Sequence, residues 1–241
     1  MLLGKVTDTQ DTTGTVLEEH PVEVTEEQVK EAVLSFTGEY MQVPPMYSAL
    51  KVNGKKLCDL ARAGVTVERQ ARPVQLYSIE IIKMELPRVC MRVRCSKGTY
   101  IRTLCQDIGE KLSCGACMES LLRTKVSEFC VQDALRLSEI EERVQKAAGQ
   151  TQSEQWNAEM FDFIYAVDSV FLQYKKAVIC KEWNKLLYNG NRMKKDMFVS
   201  YQKDWEQQKV RIYDEEGRFI GIYEYSEIHG DYKPVKLFME A

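Results

Sequence analysis

An aromatic ring, a guanidinium and several hydroxyls crowd into Ser96-Lys97-Gly98-Thr99-Tyr100-Ile101-Arg102-Thr103-Leu104. A tyrosine face beside an arginine fork suits a flat, polar base held next to a negative charge. The alternating run Val89 to Cys95 predicts a strand before this segment, and Tyr100 to Leu112 predicts a helix after it. The Gly98 turn then sets the first helical residues at an element edge, where side chains reach a ligand. Arg102 near a helix start is slightly disfavoured by the helix dipole, so it calls for a partner carboxylate.

Other chemistry finds little support. There is no Ser/His/Asp order, no P-loop and no Rossmann glycine fingerprint, and the two histidines, His20 and His229, are far apart. Eight cysteines in a chain this large read as small apolar fillers with inert thiols. Cys114-Gly-Ala-Cys117 has a metal-like spacing, but no second pair follows it. No metal and no cofactor are expected. Nothing approaches an 18-residue apolar run or a signal peptide, so a cytoplasmic protein without a membrane span is expected.

The net charge of −3 hides an asymmetry. Residues 1–40 carry 2 Lys/Arg against 9 Asp/Glu, whereas residues 41–130 carry 15 against 8. The basic stretch coincides with the Tyr100/Arg102 segment, the charge sign expected of a nucleic-acid partner.

Several elements must position that segment. Thr25 followed by Gln28 predicts a capped helix through Phe36. Pro44-Pro45 breaks the chain, Asn53-Gly54 signals a hairpin, and Lys55 to Ala63 predicts a short helix closed by Gly64. Val74 to Glu85 predicts a strand pairing with Val89 to Cys95, Met118 to Leu122 a short helix or turn, and Lys125 to Phe129 a strand. Ser138 predicts a cap for a helix to about Ala148, followed by a polar linker over Gly149 to Glu154. From Ile164 onward short strands and turns predict a small β domain with one helix near Lys181 to Leu187.

The motifs Pro44-Pro45-Met46-Tyr47-Ser48-Ala49-Leu50-Lys51-Val52-Asn53-Gly54-Lys55-Lys56-Leu57, Ala61-Arg62-Ala63-Gly64, Ala71-Arg72-Pro73-Val74, Cys95 to Leu104 and Cys114-Gly115-Ala116 resemble, in order, those of the TruB family of tRNA pseudouridine synthases. Leu3-Gly4-Lys5-Val6-Thr7-Asp8-Thr9-Gln10-Asp11 resembles a further core motif of that family. The resemblance implies an α+β fold: a mixed, largely antiparallel pseudouridine synthase sheet, incomplete at its N-terminal side, in residues 1–165. It implies a PUA-like RNA-binding β domain in residues 166–241.

The implied reaction flips uridine 55 out of the tRNA T-loop, detaches the uracil from its ribose with a catalytic aspartate, and rejoins it through carbon. No cofactor takes part. By matching positions, Tyr100 would contact the uracil, Arg102 would pair with the aspartate, Leu121 would line the apolar wall around the base, and Lys51 would meet phosphates. Leu121 is expected in the core in any case. The Gly-rich aspartate segment of the family, which normally precedes the motif at Leu3, has no match here, and Asp8 and Asp11 belong to the following motif and do not fill its place. An N-terminally truncated, inactive, monomeric tRNA-binding chain is therefore expected. The alternatives are a non-catalytic RNA-binding or tRNA-folding module and an unstable fragment.

Overall fold

The computed structural model describes residues 1–150 and 161–238. The chain divides between Arg123 and Thr124 into two compact units.

In chain order the first unit contains β1 (Leu2–Leu3), β2 (Lys5–Thr7), β3 (Val16–Glu19), α1 (Glu26–Leu34), β4 (Gly38–Gln42), β5 (Lys51–Val52), β6 (Lys55–Lys56), α2 (Leu57–Arg62), β7 (Arg72–Glu85), β8 (Arg88–Cys95), α3 (Ile101–Lys111) and β9 (Ala116–Cys117). Five strands form one sheet in the order β4-β7-β8-β1-β9, every neighbouring pair antiparallel. The long β7/β8 hairpin is its spine. Along β8 the residues Val89, Met91, Val93 and Cys95 turn inward while Arg88, Cys90, Arg92 and Arg94 are exposed, the period-two pattern the sequence predicted.

Helices α1 and α3 close one face of this sheet. The capping box forms as expected: Thr25 Oγ1 accepts the Gln28 N–H, and Gln28 Oε1 accepts the Thr25 N–H. The helix stops at Leu34 rather than Phe36, and Phe36 instead packs edge-on against Tyr40 at 5.3 Å. Val29 and Val33 of α1, Leu104 and Ile108 of α3, and Leu3, Leu76 and Val89 of the sheet share one core. Gly109 lets α3 approach β9 backbone to backbone, since a Cβ there would lie 2.2 Å from Ala116 N. Asn53 (φ 50°) and Gly54 (φ 80°) supply the left-handed pair that turns β5 into β6.

The segment from Met118 to Leu122 is neither helix nor turn. Met118 N–H donates to Gln10 O and Met118 O accepts from Thr12 N–H, which draws the chain into a parallel bridge with Asp11. Backbone groups already paired with residues 10–12 cannot also close a helical turn.

The second unit begins with a short hairpin, β10 (Lys125–Val126) and β11 (Phe129–Cys130), where one strand was expected, then α4 (Leu137–Gln150). Ser138 lies inside α4 rather than capping it, and Glu139 accepts the Arg136 N–H. Of the expected linker, Gly149 and Gln150 are helical and residues 151–154 lie outside the described residues. A four-stranded sheet follows, built from β12 (Lys175–Val178), β13 (Lys209–Tyr213), β14 (Phe219–Ser226) and β15 (Asp231–Leu237), with α5 (Asn184–Tyr188) after β12. The β12/β13 pair is parallel and the others antiparallel. Val210, Ile212, Ile220, Tyr223 and Tyr232 form its core with Trp205 and Phe198.

Candidate active site

Tyr100 and Arg102 fall where the sequence placed them, at the start of α3, with Tyr100 in the N-cap position. Gly98 (φ +89°) makes the turn out of β8 that brings them there. Two stretches of chain, at residues 9–11 and at Tyr47, converge on Arg102. One terminal nitrogen, Nη1, donates to Asp11 Oδ2 at 3.2 Å and to Thr9 O at 3.3 Å, and Nη2 donates to Tyr47 O at 2.8 Å. The Arg102 side chain is 25% exposed and that of Asp11 15%. A guanidinium carries five N–H donors in a rigid plane, so three are committed and two remain for a further acceptor. No described residue hydrogen-bonds the Tyr100 hydroxyl.

Asp11 is the carboxylate the sequence reading left unassigned to Arg102. Its Oδ1 accepts from Thr9 Oγ1 (2.9 Å), Thr13 Oγ1 (2.5 Å) and Thr13 N–H (3.1 Å), and its Oδ2 takes Arg102. Burial alone would push this carboxyl up, but the Thr13 and Thr9 hydroxyls, the Thr13 N–H and Arg102 together hold it below its ordinary 3.8. Such a group orients an arginine well and attacks carbon poorly, because its lone pairs are engaged. The signal for it was present: an aspartate two residues before a threonine in a turn-rich run reads as an Asx turn.

The loop around Tyr47 also carries Lys51, which sits in the β5/β6 hairpin, exposed to solvent. The hairpin is tied back by Leu57 N–H to Leu50 O (2.8 Å) and Cys58 N–H to Ser48 O (3.0 Å). A cavity of about 180 Å³ opens beside Tyr100, walled by Pro44, Leu50 and Pro73 and rimmed by Arg72 and Lys97. Those two cations have no carboxylate partner among the described residues. Gln42, absent from the sequence reading, also lines it and bonds to Tyr100. Leu121 is not a core residue: it is 58% exposed, because the extended segment after Met118 has no further strand to pack on.

Cys114 and Cys117 are free and buried, as is Cys105. Burial pushes all three thiols up, Cys105 to about 12, so they carry little thiolate. Among the described residues no group of three or more His, Cys, Asp or Glu side chains is placed to hold a metal ion.

Residues 1–101 match the family model for the N-terminal domain of TruB family pseudouridylate synthases, and residues 102–172 match that for the C-terminal domain of tRNA pseudouridylate synthase B. The tRNA pseudouridine synthase B of Lachnoclostridium phytofermentans is 47% identical over 218 residues, covering 86% of this chain and 67% of its own. The chain belongs to the TruB family. The tRNA pseudouridine synthase B of Clostridium acetobutylicum, another relative, is 38% identical over 94% of this chain and 73% of its own. The fold of this TruB-family chain is shared with solved structures of a Cbf5-Nop10-Gar1 complex (TM-score 0.61, 21% identity) and of an H/ACA RNP bound to a substrate RNA (TM-score 0.60, 18% identity). Each covers 92% of this chain, which spans 63% and 64% of theirs. The second family model crosses the division between the two compact units at Arg123. No helix among the described residues is long and apolar enough to cross a membrane.

Proposed function

We propose that this chain supplies the Tyr100/Arg102 half of a synthase site that isomerises uridine 55 of the tRNA T-loop. The observation that carries the reading is the arrangement of Arg102. It is anchored on one side by Asp11, Thr9 O and Tyr47 O and keeps two N–H donors for a second carboxylate. Tyr100, which lines a cavity and has no hydrogen-bond partner for its hydroxyl among the described residues, would meet the flipped base. Arg72, Lys97 and the exposed Lys51 would hold phosphates around it, and Leu121 would be covered only when RNA binds.

Taken alone, these residues form no pseudouridine. Asp11 is committed to Arg102 and the threonines, and the Gly-rich aspartate motif is not among the residues in hand. The chain then acts as a weak, salt-sensitive tRNA binder in the cytoplasm, as a monomer, with residues 166–241 as a PUA-like RNA-binding domain. Rejoining uracil through C5 expels its hydrogen, so tritium release from a T-stem-loop carrying [5-³H]uridine tests the chemistry. The chain alone releases none. Release above background would overturn the proposed inactivity. A chain extended upstream with the aspartate segment should release tritium and lose most of that activity in Arg102→Ala. Unchanged turnover would remove Arg102 from the site.

A further inference from the structure

Gln42 ends β4 and is 2% exposed. Its amide reaches Tyr100 across 58 residues: Oε1 accepts the Tyr100 N–H at 2.8 Å, and Nε2 donates to Tyr100 O at 3.1 Å. Nε2 also contacts the Tyr40 hydroxyl. One planar group therefore grips both main-chain polar atoms of a single residue. The Tyr100 N–H precedes α3, where no carbonyl of the helix can serve it, and α3 has no side-chain N-cap. The Tyr100 carbonyl also receives the Leu104 N–H, the first bond of the helix. Burying an amide is unfavourable unless its hydrogen bonds are met, and here they are met at the start of α3.

We propose that Gln42 is the positioning residue of the site: it fixes the backbone at Tyr100 and so aims both the Tyr100 ring and, two residues on, the Arg102 guanidinium. The proposal rests on the reading that Tyr100 and Arg102 face the target uridine, but its structural part can fail separately. Gln42 does not touch the base. It acts through the main chain of Tyr100, and its loss leaves the phosphate-binding cations in place.

The test follows the 241-residue chain by NMR and by binding to two T-stem-loop RNAs, one with uridine at the target position and one abasic there. In Gln42→Ala the Tyr100 amide exchanges about tenfold faster, the loss of one buried hydrogen bond, and the Arg102 guanidinium signals average. Binding to the abasic RNA stays the same while the preference for uridine disappears.

Gln42→Glu supplies a rescue. Its protonated acid is isosteric with the amide and can donate to Tyr100 O, whereas its carboxylate cannot, although both forms still accept the Tyr100 N–H. The Tyr100 carbonyl ¹³C shift in this variant therefore returns to the parent value as pH falls from 8 to 5. Tyr40, Asp107, Arg72 and Lys97 lie around the position, and because burial raises Asp107 to about 6, inside this range, the parent chain, which keeps all four, is the control that separates its titration from that of the introduced carboxyl. Where Gln42→Ala fails to fold, this pH profile decides alone. Tyr100 protection within twofold of the parent in Gln42→Ala, or a flat profile in Gln42→Glu, overturns the positioning role. Faster exchange in Gln42→Ala, combined with a parent chain that shows no preference for uridine, overturns the uridine reading and leaves the backbone clamp standing.

Discussion

Arg102 Nη1 lies 3.2 Å from Asp11 Oδ2, and the same guanidinium holds the carbonyls of Thr9 and Tyr47. No other side chain could span three acceptors in one plane, so Arg102→Lys should not substitute for it. Either Arg102→Lys or Arg102→Ala should lower unfolding free energy by about 1.5–3 kcal/mol, the range for hydrogen bonds to charged groups. Urea titration at pH 7 measures this. A lysine variant as stable as the parent would show that the three contacts are incidental.

The two aspartates near the start and middle of α3 act in opposite directions with pH. Asp11 is held below its ordinary 3.8, so its contribution is complete above that value and is lost as pH falls through its lower folded value. Asp107 is raised to about 6 by burial and by Glu110, so its cost is absent below about pH 4 and grows as pH rises through 6. Asp107→Asn should therefore be more stable than the parent at pH 7.5 and equal to it at pH 3.5. Asp11→Asn should be less stable at pH 7 and flatter on the acid side. Denaturation midpoints across pH 3–8 check both signs.

Gly109→Ala should be disproportionately damaging for so small a change. Its Cβ would meet Ala116 N at 2.2 Å and Gly115 C at 2.3 Å, both main-chain atoms that cannot rotate away. Overpacking of this kind costs about 1–3 kcal/mol or more. A melting temperature unchanged from the parent would mean that α3 can slide off β9 without penalty.

Leu121→Ala should leave stability within about 0.5 kcal/mol, as for other exposed sites, whereas Leu104→Ala should cost about 2–5 kcal/mol from the core. If RNA covers Leu121, the first variant binds the uridine stem-loop less tightly while melting normally. Equal binding would take Leu121 out of the proposed base wall.

Lys51→Ala should weaken binding to all T-stem-loops alike and reduce the slope of log K against log salt by about 0.7–0.9, one phosphate contact. Isothermal titration at 50, 100 and 200 mM salt reads that slope. A sequence-dependent loss with unchanged slope would place Lys51 against a base instead.

What the sequence made legible follows local rules. The Thr25/Gln28 box, the Asn53-Gly54 turn and the alternation along β8 each depend on residues a few positions apart, and each appears in the structure. Tyr100 and Arg102 were visible because they sit together in a run whose turn and helix are also local. Gln42, the carbonyl of Tyr47 and the pairing of Asp11 with Arg102 were not, because these roles arise only when distant segments meet; of Asp11 only the local Asx turn was readable. Leu121 misled for the same reason: an apolar residue reads as core until the sheet is seen to end before it. The segment at Met118 was misread because its backbone partners, Gln10 and Thr12, lie at the other end of the unit.

The separations spanned by Arg102, 91 residues to Asp11 and 55 to Tyr47, also say when the site comes into being. Closing loops of that size gains nothing until the strands between them have found their register, since chain entropy opposes each closure. On the ribosome, a nascent chain that has not yet delivered residue 102 can hold β7 and most of its partners but none of this constellation. The Arg102 constellation is therefore a late marker of folding, appearing after the hairpins rather than with them.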